Sequence, residues 1–121
     1  MSDGTGQQEG GGRLCLIVED RPDTRDWLGE LGGETFPDLT IATAGTLRDA
    51  RRWLAEDVGE GVLALALIDL GLPDGSGVEI VAEVARDFPD ALPVVATIYD
   101  DDTHLFDSLA AGAQGYVLKH E

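Results

Sequence analysis

Residues Val62–Ile68 read Val-Leu-Ala-Leu-Ala-Leu-Ile, seven apolar side chains in a row with no polar alternation. A strand with one wet face alternates apolar and polar residues, because successive side chains point to opposite sides of the sheet. An unbroken apolar strand has to be covered on both faces, and this places it inside a parallel sheet flanked by helices. The acid that follows directly, Asp69, then stands at the carboxyl edge of that sheet.

The flanking sequence supplies the partners such a strand needs. Short apolar runs at 14–18, 39–42, 94–96 and 116–118 are further strand candidates, and helix-period segments lie between them. The first, 23–31, opens at Pro22 and is expected to close at Gly32-Gly33. The second, 47–57, lines up Leu47, Ala50, Leu54 and Val58 on one face. The third, 78–88, turns Ile80, Val81, Val84 and Phe88 inward and stops at Pro89. The fourth, 103–111, follows Asp100-Asp101-Asp102, read as a helix cap and dipole complement, and ends at Gly112. Strands alternating with helices predict an α/β fold with a doubly wound, parallel five-stranded sheet of order 2-1-3-4-5. In such a sheet ligands bind beyond the carboxyl ends, at the switch point between strands one and three. Residues 1–12, glycine-rich and polar, are expected to form a disordered tail, and 13–121 a single domain.

Charge narrows the partners. With 24 Asp+Glu against 8 Lys+Arg, the formal charge of −16 repels phosphate backbones and anionic bilayers, so neither direct nucleic-acid binding nor membrane binding is expected. No stretch approaches a membrane span. Cys15 is the only cysteine and lies in an apolar run, which predicts a buried, inert thiol and a reducing, cytoplasmic setting.

In a parallel sheet the residues that end each strand converge on one edge. Those positions are Glu19 and Asp20 after strand one, Asp69 after strand three, Thr97 after strand four and Lys119 after strand five. Clustered carboxylates repel, so a compensating cation is expected. Mg²⁺, held by a few carboxylates plus water and phosphate oxygens, suits Asp20 and Asp69 as direct ligands and Glu19 through water. Such an ion organises phosphoryl transfer, in which an Asp carboxylate can be the nucleophile. Lys119 would pair with the transferred oxygens and the Thr97 hydroxyl would donate to one of them.

Four segments in register carry a resemblance: Leu16-Ile17-Val18-Glu19-Asp20, the stretch from Leu67 through Asp69-Leu70-Gly71-Leu72-Pro73-Asp74-Gly75-Ser76-Gly77, Val94-Val95-Ala96-Thr97, and the run from Gly112 through Gly115-Tyr116-Val117-Leu118-Lys119. Together they resemble the receiver domains of two-component response regulators, the CheY-like superfamily, across residues 14–119. The resemblance implies a flavodoxin-like receiver fold and a phosphorylation-dependent signalling switch. It implies Asp69 as phosphoacceptor, Glu19 and Asp20 as the acidic pair, and Gly71 as the donor of a backbone carbonyl to Mg²⁺. Thr97 would be the switch hydroxyl, Tyr116 the aromatic that turns inward on activation, and Lys119 the phosphate-sensing lysine. The natural partner would be a sensor histidine kinase or phosphotransfer protein. The ending Tyr116-Val117-Leu118-Lys119 is similar to receivers that precede a helix-turn-helix DNA-binding domain.

The chain departs from the family pattern at His120, where a proline is common, and at Ile98, bulkier than the usual small residue. No fifth helix follows strand five, so a flank of the sheet is expected to lack cover, with a homodimer forming through the strand-five and helix-four side. Two other functions use similar parts. A Mg²⁺-dependent aspartyl phosphohydrolase would need a second acid two residues after the nucleophile, where Gly71 stands. A phospho-independent pseudo-receiver interaction module would be expected to lose Asp69, the acidic pair or Lys119, and none is lost. The chain is therefore expected to be a phosphoacceptor rather than an enzyme, supporting its own phosphotransfer and at most slow autodephosphorylation. Residues 71–77 lack the Lys-Ser/Thr of a P-loop and read as a mobile loop. Arg48, Arg51 and Arg52 read as a solvated helix face pairing with neighbours such as Asp49 and Glu56.

Overall fold

The computed structural model describes residues 12–97 and 102–119. Residues 1–11, Ile98, Asp100, Asp101 and His120, with the side chains of Asp102 and His104, lie outside the described residues, and so do the expectations placed on them. Five strands, β1 (Arg13–Val18), β2 (Thr40–Ala44), β3 (Val62–Ile68), β4 (Leu92–Thr97) and β5 (Gly115–Leu118), form one parallel sheet of order β2-β1-β3-β4-β5. Helices α1 (Pro22–Thr35), α2 (Leu47–Glu56), α3 (Val78–Asp87) and α4 (Asp102–Ala111) connect them. This is the predicted architecture, with the acidic Asp69 at the end of the central strand.

Alternation along β1 sorts the core into two layers. Leu16 and Val18 join Ile68, Ile80, Val81, Val84 and Val95 on the face covered by α2 and α3. Cys15 and Ile17 join Leu28 of α1, Leu65, Val94 and Ala96 on the other. The layer under α2 and α3 is the larger, and the layer beside α1 is only partly covered, with Leu67 and Val117 half-buried at its margin. Cys15 is wholly buried, and burial pushes its thiol up to about 11.

Three departures from expectation have a physical cause in the packing. Helix α1 runs through Gly32-Gly33 to Thr35, because Gly32 is buried against the sheet, with Ile41 Cδ1 at 3.5 Å from where a Cβ would stand. Packing outweighs the roughly 1 kcal/mol propensity cost of a helical glycine. Strand β4 begins at Leu92, before Pro93, whose carbonyl accepts from Gln114 N although its nitrogen cannot donate. Residues 71–77 do not form an open loop: Gly71–Leu72 and Gly75–Ser76 pair antiparallel as a small hairpin.

The flank beside α1 carries an open apolar groove of about 260 Å³, lined by Leu28, Leu31, Phe36, Leu67, Val94 and Val117 among others. Among the described residues this groove is open, and it lies against α1 rather than on the α4 side where the sequence placed a homodimer contact. No helix among the described residues is long and apolar enough to cross a membrane.

Candidate functional site

The carboxyl edge of the sheet brings the predicted residues together. Glu19, Asp20 and Asp69 each offer a carboxylate oxygen within 4.8 Å of the others. Backbone ladders place them: Glu19 N donates to Ala44 O and Asp69 N donates to Val18 O, both at 2.9 Å, so the β1 and β3 ends are level. Glu19 is wholly buried, Asp69 nearly so, and Asp20 is partly exposed.

Lys119 closes the cluster from β5. Its backbone N–H donates to Thr97 O at 2.8 Å, fixing the strand end, and its ammonium donates to Glu19 Oε1 at 2.5 Å and Asp69 Oδ1 at 3.2 Å. The sequence placed this lysine toward transferred phosphoryl oxygens; in the structure its shorter contact is with Glu19. The lysine side chain is only 5% exposed, so a buried cation bridges two buried carboxylates. Such an arrangement persists only when charges and hydrogen bonds compensate the loss of water.

Compensation is incomplete. Burial raises the Glu19 carboxyl above its ordinary range, the charge of Asp69 adds to this, and the hydrogen bond from Lys119 opposes it. Burial likewise raises Asp69, helped by the charge of Asp20, against Lys119 and a hydrogen bond donated by Gly71 N–H. Two buried acids above their usual range, beside a third and a single lysine, form a site with an excess of hard oxygen donors. That donor set fits a Mg²⁺ ion, which would be held by Asp20 and Asp69 with Glu19 behind them.

Thr97 is wholly buried at the end of β4 and Tyr116 half-buried on β5, packed against the layer covered by α2 and α3. Gly71 opens the hairpin two residues after Asp69. Arg52 pairs with Asp49 as expected, but Arg51 reaches across to Glu79 and Glu83 of α3 at 2.8 and 2.7 Å rather than to its own helix. Asp74 was read only as part of a motif, yet its carboxylate accepts from the Leu47 and Arg48 amides at the start of α2, at 2.8 and 3.1 Å. The only local hint was an acid in a Pro-Asp-Gly turn with no helix of its own to cap.

Comparison with known proteins gives a consistent result. The family model for the response regulator receiver domain matches residues 15–121. The DNA-binding transcriptional activator DevR/DosR of Mycobacterium tuberculosis is 38% identical over 105 residues, which are 86% of this chain and 46% of that protein. The chain thus spans about half the length of that relative. A CheY-like receiver domain from Methanospirillum hungatei has the same fold, with a TM-score of 0.77 at 24% identity over 92% of this chain and 84% of that one. The response regulator TrrA of Thermotoga maritima, solved with Mg²⁺ and BeF, matches with a TM-score of 0.71 at 28% identity, covering 90% and 87%.

Proposed function

The chain belongs to the response regulator receiver family, and from that premise we propose that Asp69 is the phosphoacceptor of a Mg²⁺-dependent signalling switch. The observation that carries this reading is the buried Lys119 ammonium bridging Glu19 and Asp69 at an edge where three carboxylates meet. In a purely structural core such a cluster would cost stability without return.

The donor is a phosphohistidine on a sensor histidine kinase or phosphotransfer protein. A carboxylate oxygen of Asp69 attacks phosphorus, the bond from phosphorus to the donor nitrogen breaks, and an acyl phosphate forms on Asp69 as the histidine, protonated on its other ring nitrogen, leaves as neutral imidazole. Bound Mg²⁺ would supply charge neutralisation and orientation of phosphoryl oxygens. Glu19, Asp20, Asp69 and the Gly71 carbonyl would hold it. The new oxygens draw the Lys119 ammonium, and the Thr97 hydroxyl donates to one of them. Burial of Thr97 at the end of β4, with half-buried Tyr116 on the neighbouring strand two positions back in register, supports a coupled switch in which the aromatic follows the hydroxyl inward. Turnover is limited to slow autodephosphorylation, since Gly71 stands where a hydrolase would carry its second acid.

The setting is cytoplasmic, and the likeness to DevR/DosR supports a transcriptional output. Exposed Phe106, Leu109 and Leu118 support self-association through the α4–β5 side. The test of the central reading is intact-mass measurement after treatment with acetyl phosphate and Mg²⁺. One added phosphate is expected. Its persistence in Asp69→Asn would refute the assignment.

A further inference from the structure

The hairpin after Asp69 is fastened to helix α2, and the fastening is a single side chain. A helix begins with amides that have no partner inside the helix. At α2 the Thr46 hydroxyl accepts from Asp49 N at 2.9 Å, and Ala50 N donates to Thr46 O at 3.0 Å, which begins the helical ladder. The two remaining amides, Leu47 N and Arg48 N, donate to the two carboxylate oxygens of Asp74, which reaches over from 26 and 27 positions away. This is a charge-assisted, two-pronged contact at the positive end of a helix, and those amide bonds hold the Asp74 carboxyl below its ordinary range.

Asp74 sits at the tip of the hairpin, between paired Gly71–Leu72 and Gly75–Ser76. Other contacts leave the hairpin no slack. Gly75 has φ +151°, and a Cβ there would stand 2.6 Å from Leu47 Cδ1. A Cβ on Gly77 would stand 2.0 Å from the Asp69 carbonyl oxygen, so the hairpin's far end lies directly on the backbone of Asp69. Gly77 N also donates to Leu70 O at 2.9 Å. At its near end Gly71 stands two residues after Asp69, and its amide lowers the Asp69 carboxyl. Helix α2 is in turn tied to α3 through Arg51, Glu79 and Glu83. A continuous path of contacts thus runs from the first amides of α2, through Asp74 and the hairpin, to the backbone of Asp69.

We infer that Asp74 is a positioning residue for the phosphoacceptor: by clamping the hairpin to α2 it holds the Gly71 amide and carbonyl in place beside Asp69. This rests on the reading of Asp69 given above. The clamp makes no contact with the acidic cluster itself, so its effect passes entirely through the hairpin backbone. Groups that orient a ligating or reacting residue in this way typically change affinity or rate by 10-fold to 100-fold when removed.

The experiment compares Asp74→Ala and Asp74→Asn with Thr46→Ala in the full chain. Thr46→Ala removes a cap from the same helix end without touching the hairpin. Each variant is assayed for its melting temperature, for the Mg²⁺ dissociation constant by Trp53 fluorescence, for the Gly71 amide resonance, and for the initial rate of phosphorylation by acetyl phosphate. Both alanine variants are expected to melt below wild type. Only Asp74→Ala is expected to lose about tenfold or more in Mg²⁺ affinity and phosphorylation rate and to shift the Gly71 amide. Asp74→Asn, which keeps a neutral acceptor for one amide, should fall between the two. Mg²⁺ affinity, Gly71 shift and rate that match Thr46→Ala within twofold would overturn the inference, and Asp74→Asn carries that comparison if the alanine variant does not fold. A wild type that takes no phosphoryl group would sink the phosphoacceptor reading instead, and the Mg²⁺ and amide measurements would still decide the role of Asp74.

Discussion

Replacing Asp69 by asparagine should make the Mg²⁺-free protein more stable, although it removes a buried ion pair. At an effective dielectric near 20, unit charges 3.2 Å apart, the separation of Lys119 and Asp69, attract by about 5 kcal/mol. Charges no more than 4.8 Å apart, as Glu19 and Asp69 are, repel by about 3.5 kcal/mol or more. Partly exposed Asp20 adds about 1 kcal/mol after screening. Attraction and repulsion therefore nearly cancel, and the desolvation of a carboxylate that is only 10% exposed decides the sign. Asparagine keeps the shape and drops the charge, so Asp69→Asn should gain about 1–2 kcal/mol at pH 7, or roughly 4–8 °C in Tm. The folded-state carboxyl lies above its ordinary 3.8, so the native state holds a proton that the unfolded chain releases. Wild-type stability then falls as pH rises from 3.8 through the folded-state value, and the advantage of asparagine opens across that interval. Mg²⁺ at about 100 times its dissociation constant adds about 2.7 kcal/mol to wild type and less to the variant, closing the gap. Urea melts followed by tryptophan fluorescence at several pH values, with chelator and with Mg²⁺, measure all of this. A variant no more stable than wild type at pH 7 in chelator, or an advantage that grows toward acid, would refute the reasoning.

Lys119→Met should lose about 3–5 kcal/mol in chelator at pH 7, because Glu19 and Asp69 are left buried without their cation; the same melts read this, and Mg²⁺ should restore part of the loss. Gly77→Ala should cost roughly 2 kcal/mol or more and slow phosphorylation, since its Cβ would meet the Asp69 carbonyl, which cannot move aside; denaturant melts and acetyl phosphate assays check it. Cys15 should resist a thiol reagent in the native protein at pH 8 and react fully in urea, as a wholly buried thiol raised to about 11 requires.

The parts of this molecule that could be read from the sequence are those governed by local pattern. The apolar run of β3, the inward stripe of Ile80, Val81 and Val84, and the polar residues ending each strand all obey short-range periodicity, and all took their expected places. The misreadings arise where a distant contact overrides a local rule. Gly32-Gly33 reads as a helix stop, yet α1 packs Gly32 beside Ile41 of β2 and continues. Pro93 hides the start of β4. The run 71–77 is rich in turn formers, and only Leu47 and the α2 amides, far back in the chain, explain why it folds into a clamped hairpin. Lys119 was legible as a member of the site, but its closer partner, Glu19, lies 100 positions away and depends on how deeply β5 sets its end beside β4.

That lysine follows an edge strand of four residues, paired on one side only among the described residues. In sequence, the three acids stand on the β1 and β3 ends within the first 69 residues, and Lys119 comes 50 positions after Asp69. The cluster thus takes its counter-ion from the end of an edge strand. Release of β5 from the sheet would carry Lys119 away from Glu19 and Asp69, since Lys119 N bonds Thr97 O at the strand's end. Whatever changes the ionisation of Glu19 or Asp69 must change how often the edge opens, and amide exchange in β5 becomes a remote gauge of charge at the acidic cluster.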